Sequence, residues 1–336
     1  MKAIIYEGAD KALAVQELAM PEPGPGQLLL KVVACGVCGS DIHAYQASRS
    51  PVGTVFGHEF SGEVVSMGEG VTDWQVGDRA ISVGAMFCGQ CANCQQGLFD
   101  QCENLELIGF DRHGAYAEYV ITQAAASIPI PAGVDFPQAA LVEPLAVGFS
   151  AFRDCQLPLG GNVLIIGAGI IGIATLKWAR FFGAEHVVIS DLEEARLTRA
   201  KLAGATAVID ATENPDPVEA FTRATGAVPD VIVECVGRPM LQQLIDAAPI
   251  GAHIVAVGAA MEAEPILSVD AATKKIRLSF SFGYTMEDFE FILRIIDSGR
   301  VQTDGLITQS VSLDGVPEAF AGLMQPNDHC KIMIEP

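Results

Sequence analysis

Four cysteines stand close together in the chain, Cys88, Cys91, Cys94 and Cys102, in the pattern C-x2-C-x2-C-x7-C, with Gly89 and Gly97 in the same loop. Thiolates at this spacing can close around Zn²⁺ as a tetrahedron with no position left over, so a structural zinc site is expected. Two disulfides would need an oxidising compartment, and an iron–sulfur cluster would bring a closing x3-C-P that is missing here. A second group is more scattered. It comprises Cys38-Gly39-Ser40-Asp41-Ile42-His43, then Gly57-His58-Glu59, then Val142-Glu143-Pro144-Leu145. Cys38 and His58 are the thiolate and imidazole that zinc prefers, and a carboxylate from Glu59 or Glu143 would add a third bond. A fourth position would stay open to water or substrate. The ordinary alternatives are a buried free cysteine and a core histidine.

A third motif is Gly167-Ala168-Gly169-Ile170-Ile171-Gly172, placed after an expected strand and opening an expected helix. Gly167 allows the tight turn, Gly169 lets backbone approach a pyrophosphate, and Gly172 permits close packing of helix on strand. Amides at the start of that helix, those of Ile170 and Ile171 among them, would face the phosphates. Asp191 ends the next expected strand about 20 residues on, where a carboxylate suits two ribose hydroxyls. It would repel a 2′-phosphate, and Leu192-Glu193-Glu194 follows with no basic residue, so NAD is expected rather than NADP. Arg196 is read either as lying over the adenine or as a helix-surface side chain.

These motifs need elements to hold them. At 336 residues the chain exceeds what one core usually fills, so two domains are expected. Half of the residues are hydrophobic and the formal net charge is −21, which argues against nucleic acid or an anionic membrane as partner. The opening, Met1 to Glu7, lacks the apolar run and cleavage site of a secretory signal. The run Val163–Leu176 is too short to span a bilayer. A cytoplasmic location is expected, and with it reduced cysteines. Up to about residue 145, short apolar runs (28–33, 62–66, 79–83, 117–121) alternate with Gly, Pro and Asp turns. From about Gly161 strands (162–166, 186–190, 207–209, 231–233, 254–257, 276–282) alternate with helices (170–182, 192–202), the pattern of a parallel sheet covered on both faces. A helix over 286–298 stops at Gly299, and 331–334 is expected to return as a strand to the first domain.

In this order and register the motifs GVCGSD-H, GHE-SG-V, C--C--C-------C, EPLAV and GAGIIG resemble the zinc-containing medium-chain dehydrogenases. The resemblance is nearest to the bacterial sorbitol, threonine and butanediol dehydrogenase branch and covers essentially the whole chain. It implies an α/β protein with a GroES-like, β-rich catalytic domain (1–145 and 284–336) and a doubly wound Rossmann domain (146–283). It also implies a catalytic zinc in the cleft between them, besides the structural one, and NAD as the hydride carrier. Carried over by position, Cys38 and His58 are catalytic zinc ligands. Liver-type relatives have another cysteine where this chain has Glu143. Glu59 is then expected as the resting ligand, with Glu143 either an exchangeable ligand or a partner of the bound water. Ser40 and His43 resemble the family's proton relay from substrate to solvent, where an imidazole of ordinary pKa about 6.5 is suited to the last step. Cys35 is near Cys38 in sequence, but the resemblance gives it no ligand role, and Cys155, Cys235 and Cys330 have no partners at ligand spacing. A homo-oligomer, dimer or tetramer, is expected.

The implied reaction is oxidation of a secondary alcohol to the ketone, zinc acting as a Lewis acid. The alternatives are a polyol or threonine dehydrogenase, a zinc-free reductase on the same fold, and a non-catalytic NAD-binding sensor. Polyol enzymes of this branch carry a tyrosine after the relay histidine, where Ala44 stands here, and an Arg-Tyr pair where this chain reads Gly283-Tyr284. Phe110, Phe282 and Tyr284 are instead expected to line an apolar pocket for a small or cyclic secondary alcohol or a vicinal diol.

Overall fold

The computed structural model describes residues 1–336 and divides them into two units, Met1–Glu143 with Tyr284–Pro336, and Pro144–Gly283. The division falls inside the helix Val142–Cys155, at 143/144 where the expected boundary was 145/146.

The first unit is built on a seven-stranded sheet whose centre is the ten-residue strand Gln27–Gly36. That strand is long enough to serve several partners. Its first half pairs antiparallel with Tyr119–Gln123, its full length runs antiparallel to Glu59–Met67, and its last two residues pair with Lys331–Ile334. The C-terminal strand therefore returns to the first unit as expected, placing Met333 opposite Gly36. Leu28, Leu30, Val32, Val64 and Ile332 of these strands join Tyr6, Phe56, Tyr116 and Phe320 in one apolar core. The cysteine lobe is carried on a short ribbon, Ala85–Met86 against Glu106–Leu107.

The second unit is a six-stranded sheet with every pairing parallel. Its central strand, Val163–Ile166, lies between Val187–Asp191 and Val231–Glu234, and the outer strands are Ala207–Asp210 on one side and His253–Ala256 then Arg277–Phe280 on the other. The first three strands of this unit run to one side of the centre and the last three to the other. The connection reverses beside Val163–Ile166, which opens a crevice at the carboxyl ends of the strands where ligands of such sheets bind. Four of these strands are buried at nearly every position, which is why they read as continuous apolar runs.

No helix is long and apolar enough to cross a membrane.

Candidate active site and metal centres

The sulfurs of Cys88, Cys91, Cys94 and Cys102 lie within 4.8 Å of one another. The separations Cys88–Cys102, Cys88–Cys94 and Cys91–Cys102 are 3.5, 4.0 and 4.0 Å. A disulfide would bring two sulfurs to about 2.0 Å. Sulfurs each about 2.3 Å from a tetrahedral zinc stand about 3.8 Å apart, so the lobe fits that ion. The loop also supplies amide donors. Cys88 N donates to Cys102 Sγ, Cys91 N to Cys88 Sγ, Cys94 N to Cys91 Sγ and Asn104 N to Cys102 Sγ, at 3.3–3.5 Å. The amides of Gln90 and Cys91 bring the Cys88 thiol down to about 6, while burial pushes Cys94 up to about 12. A bound cation would complete the deprotonation that amides alone achieve only in part.

The second set is assembled from distant segments. Cys38 precedes the helix Gly39–Gln46. Asp41 fixes its start by accepting from Cys38 N at 3.1 Å. His58 and Glu59 stand where the strand Glu59–Met67 begins. The ligand atoms of Cys38, His58 and Glu59 lie within 4.8 Å of one another, and Glu143 does not belong to that set. Thiolate, imidazole and carboxylate suit zinc with one position left for substrate.

Asp41 is the residue that sequence reasoning missed. It is fully buried, accepts a 2.6 Å hydrogen bond from the Tyr116 hydroxyl, and puts Oδ1 3.4 Å from His58 Nδ1. A carboxylate there orients the ring and leaves Nε2 to face the ligand position. Burial lowers the His58 pKa, but Asp41 and Cys38 outweigh it and raise it overall. Lys331 was missed as well. It is 2% exposed, and its Nζ lies 2.7 and 2.6 Å from Oε1 and Oε2 of Glu59 and 2.8 Å from Val37 O. A lysine beginning the buried run Lys331–Ile334 was the available signal, since a charge in such a strand needs a partner. Burial would lower its pKa, but the Glu59 carboxylate raises it.

Glu143 is buried, with the Tyr284 hydroxyl near enough to oppose the rise of its pKa. Burial, then the charge of Glu59, pushes its carboxyl up to about 7. Ser40 Oγ is 3.1 Å from Cys38 Sγ and 3.4 Å from His58 Nε2. His43 lies one turn further along the same helix face, half-buried, with its pKa lowered by that burial. Of the expected pocket residues, Phe110 packs its ring 5.2 Å from that of His58. Tyr284 donates to Val83 O at 3.2 Å. Phe282, in the second unit, is 92% exposed. Ala44 faces the core, and the hydroxyl of the adjacent Tyr45 is spent on Lys11 O.

In the second unit the glycine turn follows Val163–Ile166. Gly167 has φ +98°, and a Cβ there would meet Val236 Cγ2 at 2.9 Å. A Cβ on Gly172 would lie 1.9 Å from Gly167 O, so the helix Ile170–Phe181 packs backbone to backbone on the turn. Gly169, the residue before that helix, has nothing within 4 Å of such a Cβ, leaving room for a phosphate to reach the amides. Asp191 does more than end its strand. Its Oδ2 accepts from Ala168 N at 2.7 Å and its Oδ1 from Glu193 N at 3.0 Å, which ties the glycine turn to the next strand. Arg196 is 4.0 Å from Asp191 Oδ2, so a cation does stand beside this carboxylate although the three residues after it hold none.

Family models match both units. The model described as alcohol dehydrogenase GroES-like domain covers residues 24–132, and that described as zinc-binding dehydrogenase covers 171–298. The chain is 34% identical to an L-threonine 3-dehydrogenase of Streptomyces coelicolor over 96% of its own length and 95% of the relative's. It is 30% identical to the sorbitol dehydrogenase of Bacillus subtilis over 100% and 97%. Among solved structures, a zinc-binding dehydrogenase from Sinorhizobium meliloti bound to NADP superposes with a TM-score of 0.90 at 32% identity, covering 100% of this chain and 99% of that one. Identity of this order along nearly the whole of both chains is a statement of common descent. The chain belongs to the zinc-dependent medium-chain alcohol dehydrogenases and is an oxidoreductase.

Proposed function

We propose that the protein oxidises a small or cyclic secondary alcohol, or a vicinal diol, to the ketone with NAD, holding one zinc in the open set Cys38, His58 and Glu59 and one in the four-cysteine lobe. The observation that carries the substrate choice is the packing of Phe110 on His58, with no polyol-binding side chain at Ala44 or Gly283. When bound, zinc would polarise the alcohol oxygen and the nicotinamide would take the hydride. Ser40, against Cys38 and His58, is placed to accept the hydroxyl proton, and His43, neutral by virtue of its burial, to pass it to solvent. Glu143, a further buried carboxyl near Glu59 and His58, would be a partner of the bound water.

NAD rather than NADP rests on Asp191, whose carboxylate would oppose a 2′-phosphate. Arg196 offsets part of that charge, so the expected preference is modest, about tenfold in kcat/KM or about 1.4 kcal/mol. A homo-oligomer is part of the same reading. The outer strand Arg277–Phe280 is paired on one side only, and Phe280 is 71% exposed, features of a sheet edge that a second copy would cover. Nine free thiols suit the reducing cytoplasm.

The test is a kinetic panel of simple and cyclic secondary alcohols, butanediols, sorbitol, xylitol and L-threonine, each with NAD and with NADP. An unmatched polyol hydroxyl costs about 1–3 kcal/mol to desolvate, so secondary alcohols and short diols should lead with NAD. Sorbitol or L-threonine as the best substrate would assign the chain to the activity of its named relatives instead. Equal use of both cofactors would remove Asp191 as the selector.

A further inference from the structure

We propose that Glu234 is a positioning residue for the dinucleotide, its carboxylate fastening two turns of the second unit into one rigid wall beside the glycine turn. The inference rests on the cofactor reading above. Glu234 ends the strand Val231–Glu234 and is 3% exposed. A glutamate is almost never buried without a partner, and here the partners are backbone amides. Its Oε1 accepts from Val236 N at 2.5 Å and from Gly237 N at 2.8 Å, which closes the chain into a turn just past the strand. Burial raises its pKa, and the same two amides oppose the rise. Its main-chain oxygen serves the neighbouring strand instead, accepting from Val257 N at 2.9 Å and Gly258 N at 3.0 Å. One residue thus holds the turns that follow two adjacent strands.

Those turns touch with no side chain between them. A Cβ on Gly258 would lie 2.1 Å from Gly237 N and 2.7 Å from Glu234 Oε2, and one on Gly237, at φ +75°, would lie 3.1 Å from Ala259 N. On the other side Cys235 N donates to Ile166 O at 2.9 Å, and a Cβ on Gly167 would lie 3.3 Å from the carbonyl carbon of Cys235. Register explains the closeness. Ile166, Glu234 and Ala256 stand level on three neighbouring parallel strands, so the turns after them leave the sheet side by side. A second carboxylate secures the far end of the same segment, Glu264 accepting from Met240 N and Leu241 N. The order of the strands gives the wall its use. Asp191, with the expected ribose site, lies on one side of the glycine turn. A dinucleotide whose pyrophosphate sits at that turn would lay its other half, the nicotinamide nucleoside, across the turns at Glu234 and Ala256 on the opposite side. Backbone fastened in this way offers that half a surface already in place before the cofactor arrives.

The experiment measures binding alone, on full-length protein. NADH and NADPH are titrated by the rise in their fluorescence, and AMP, which carries only the adenosine half, by competition. Glu234→Gln keeps the shape but replaces a charged acceptor by a neutral one of about half the strength. It should weaken binding of the preferred dinucleotide by about tenfold, and Glu234→Ala by up to about a hundredfold, the reach of a displaced binding surface. AMP affinity should stay at the wild-type value. Gly258→Ala leaves the carboxylate in place but forces the two turns apart, and should give the same split; it decides the matter if the Glu234 variants do not fold. Wild-type dinucleotide affinity in the variants that fold would overturn the proposal. Equal losses for dinucleotide and AMP would overturn it too, because a merely structural role would loosen the whole unit. Gly169→Asp is the control, setting a carboxylate where the pyrophosphate would lie. If the unmutated protein binds neither dinucleotide, or Gly169→Asp binds them as well as it does, the cofactor reading itself fails; if Gly169→Asp loses them while the other variants behave as wild type, only the role of Glu234 is wrong.

Discussion

The four-cysteine lobe and the Cys38–His58–Glu59 set bring together, in two different ways, side chains that could hold a metal ion. The lobe draws everything from a single loop of 15 residues, uses one element, and surrounds its sulfurs with amides of the same loop. The open set takes its three side chains from two segments, one of which also carries Asp41, and further supporting groups from two more, at Tyr116 and Lys331. It buries charges of both signs, each held by a partner far away in sequence. A closed site needs only short-range geometry. An open one must keep a position free, and the charge a fourth ligand would have neutralised has to be managed by residues that never touch the metal.

Cys38→Ser makes the sharpest cut between the two. It should remove one zinc and lower kcat by more than about a thousandfold, in keeping with the several kcal/mol a Lewis acid supplies. The lobe's zinc and the fold should survive, as metal analysis and circular dichroism would show. Full turnover with both zinc ions would abolish the distinction.

Cys91→Ser is the converse. Its zinc should be lost together with the order of the loop, lowering the Tm by on the order of 10 °C. Turnover per folded molecule should change far less than in Cys38→Ser. Equal losses of turnover in the two variants would mean that the lobe does more than hold its own loop.

Glu143→Gln should have the smallest effect and show on which side of the comparison Glu143 belongs. Its carboxyl is raised from 4.5 to about 7 by burial and by Glu59. A folded state that holds this proton after the unfolded chain has lost it loses stability as pH rises between those values. In metal-free protein the glutamine variant should lack that part of the decline in a Tm-against-pH series, a difference of a few degrees. It should also retain both zinc ions when reloaded. Loss of the open-site zinc would make Glu143 a ligand.

This contrast also explains what could be read from the chain alone. The lobe and the glycine turn were legible because their geometry is largely local: Gly167 turns the chain at φ +98°, and Gly172 packs on the carbonyl of Gly167, five residues before it. The alternating strands of the second unit were legible because both of their faces are buried. Asp41 was not, although it lies inside a quoted motif, because its partners Tyr116 and His58 are brought to it only by the sheet. Lys331 was hidden for the same reason, and so was the hold of Asp191 on the glycine turn. Long-range compensation of buried charge leaves almost no local trace in a sequence.

The distance in sequence between Glu59 and Lys331 also has a meaning in time. They are 272 residues apart, so on a ribosome adding roughly 5–20 residues per second the lysine arrives about 15–50 s after the glutamate. Cys88 and Cys102, 14 residues apart, are complete within about 1–3 s at the same rate. The lobe can take up its ion while the chain is still being made. The carboxylate of Glu59 is made early as well, but the buried ammonium that pairs with it in the folded chain comes only with the last strand, so this ion pair is among the last contacts that the first unit can complete.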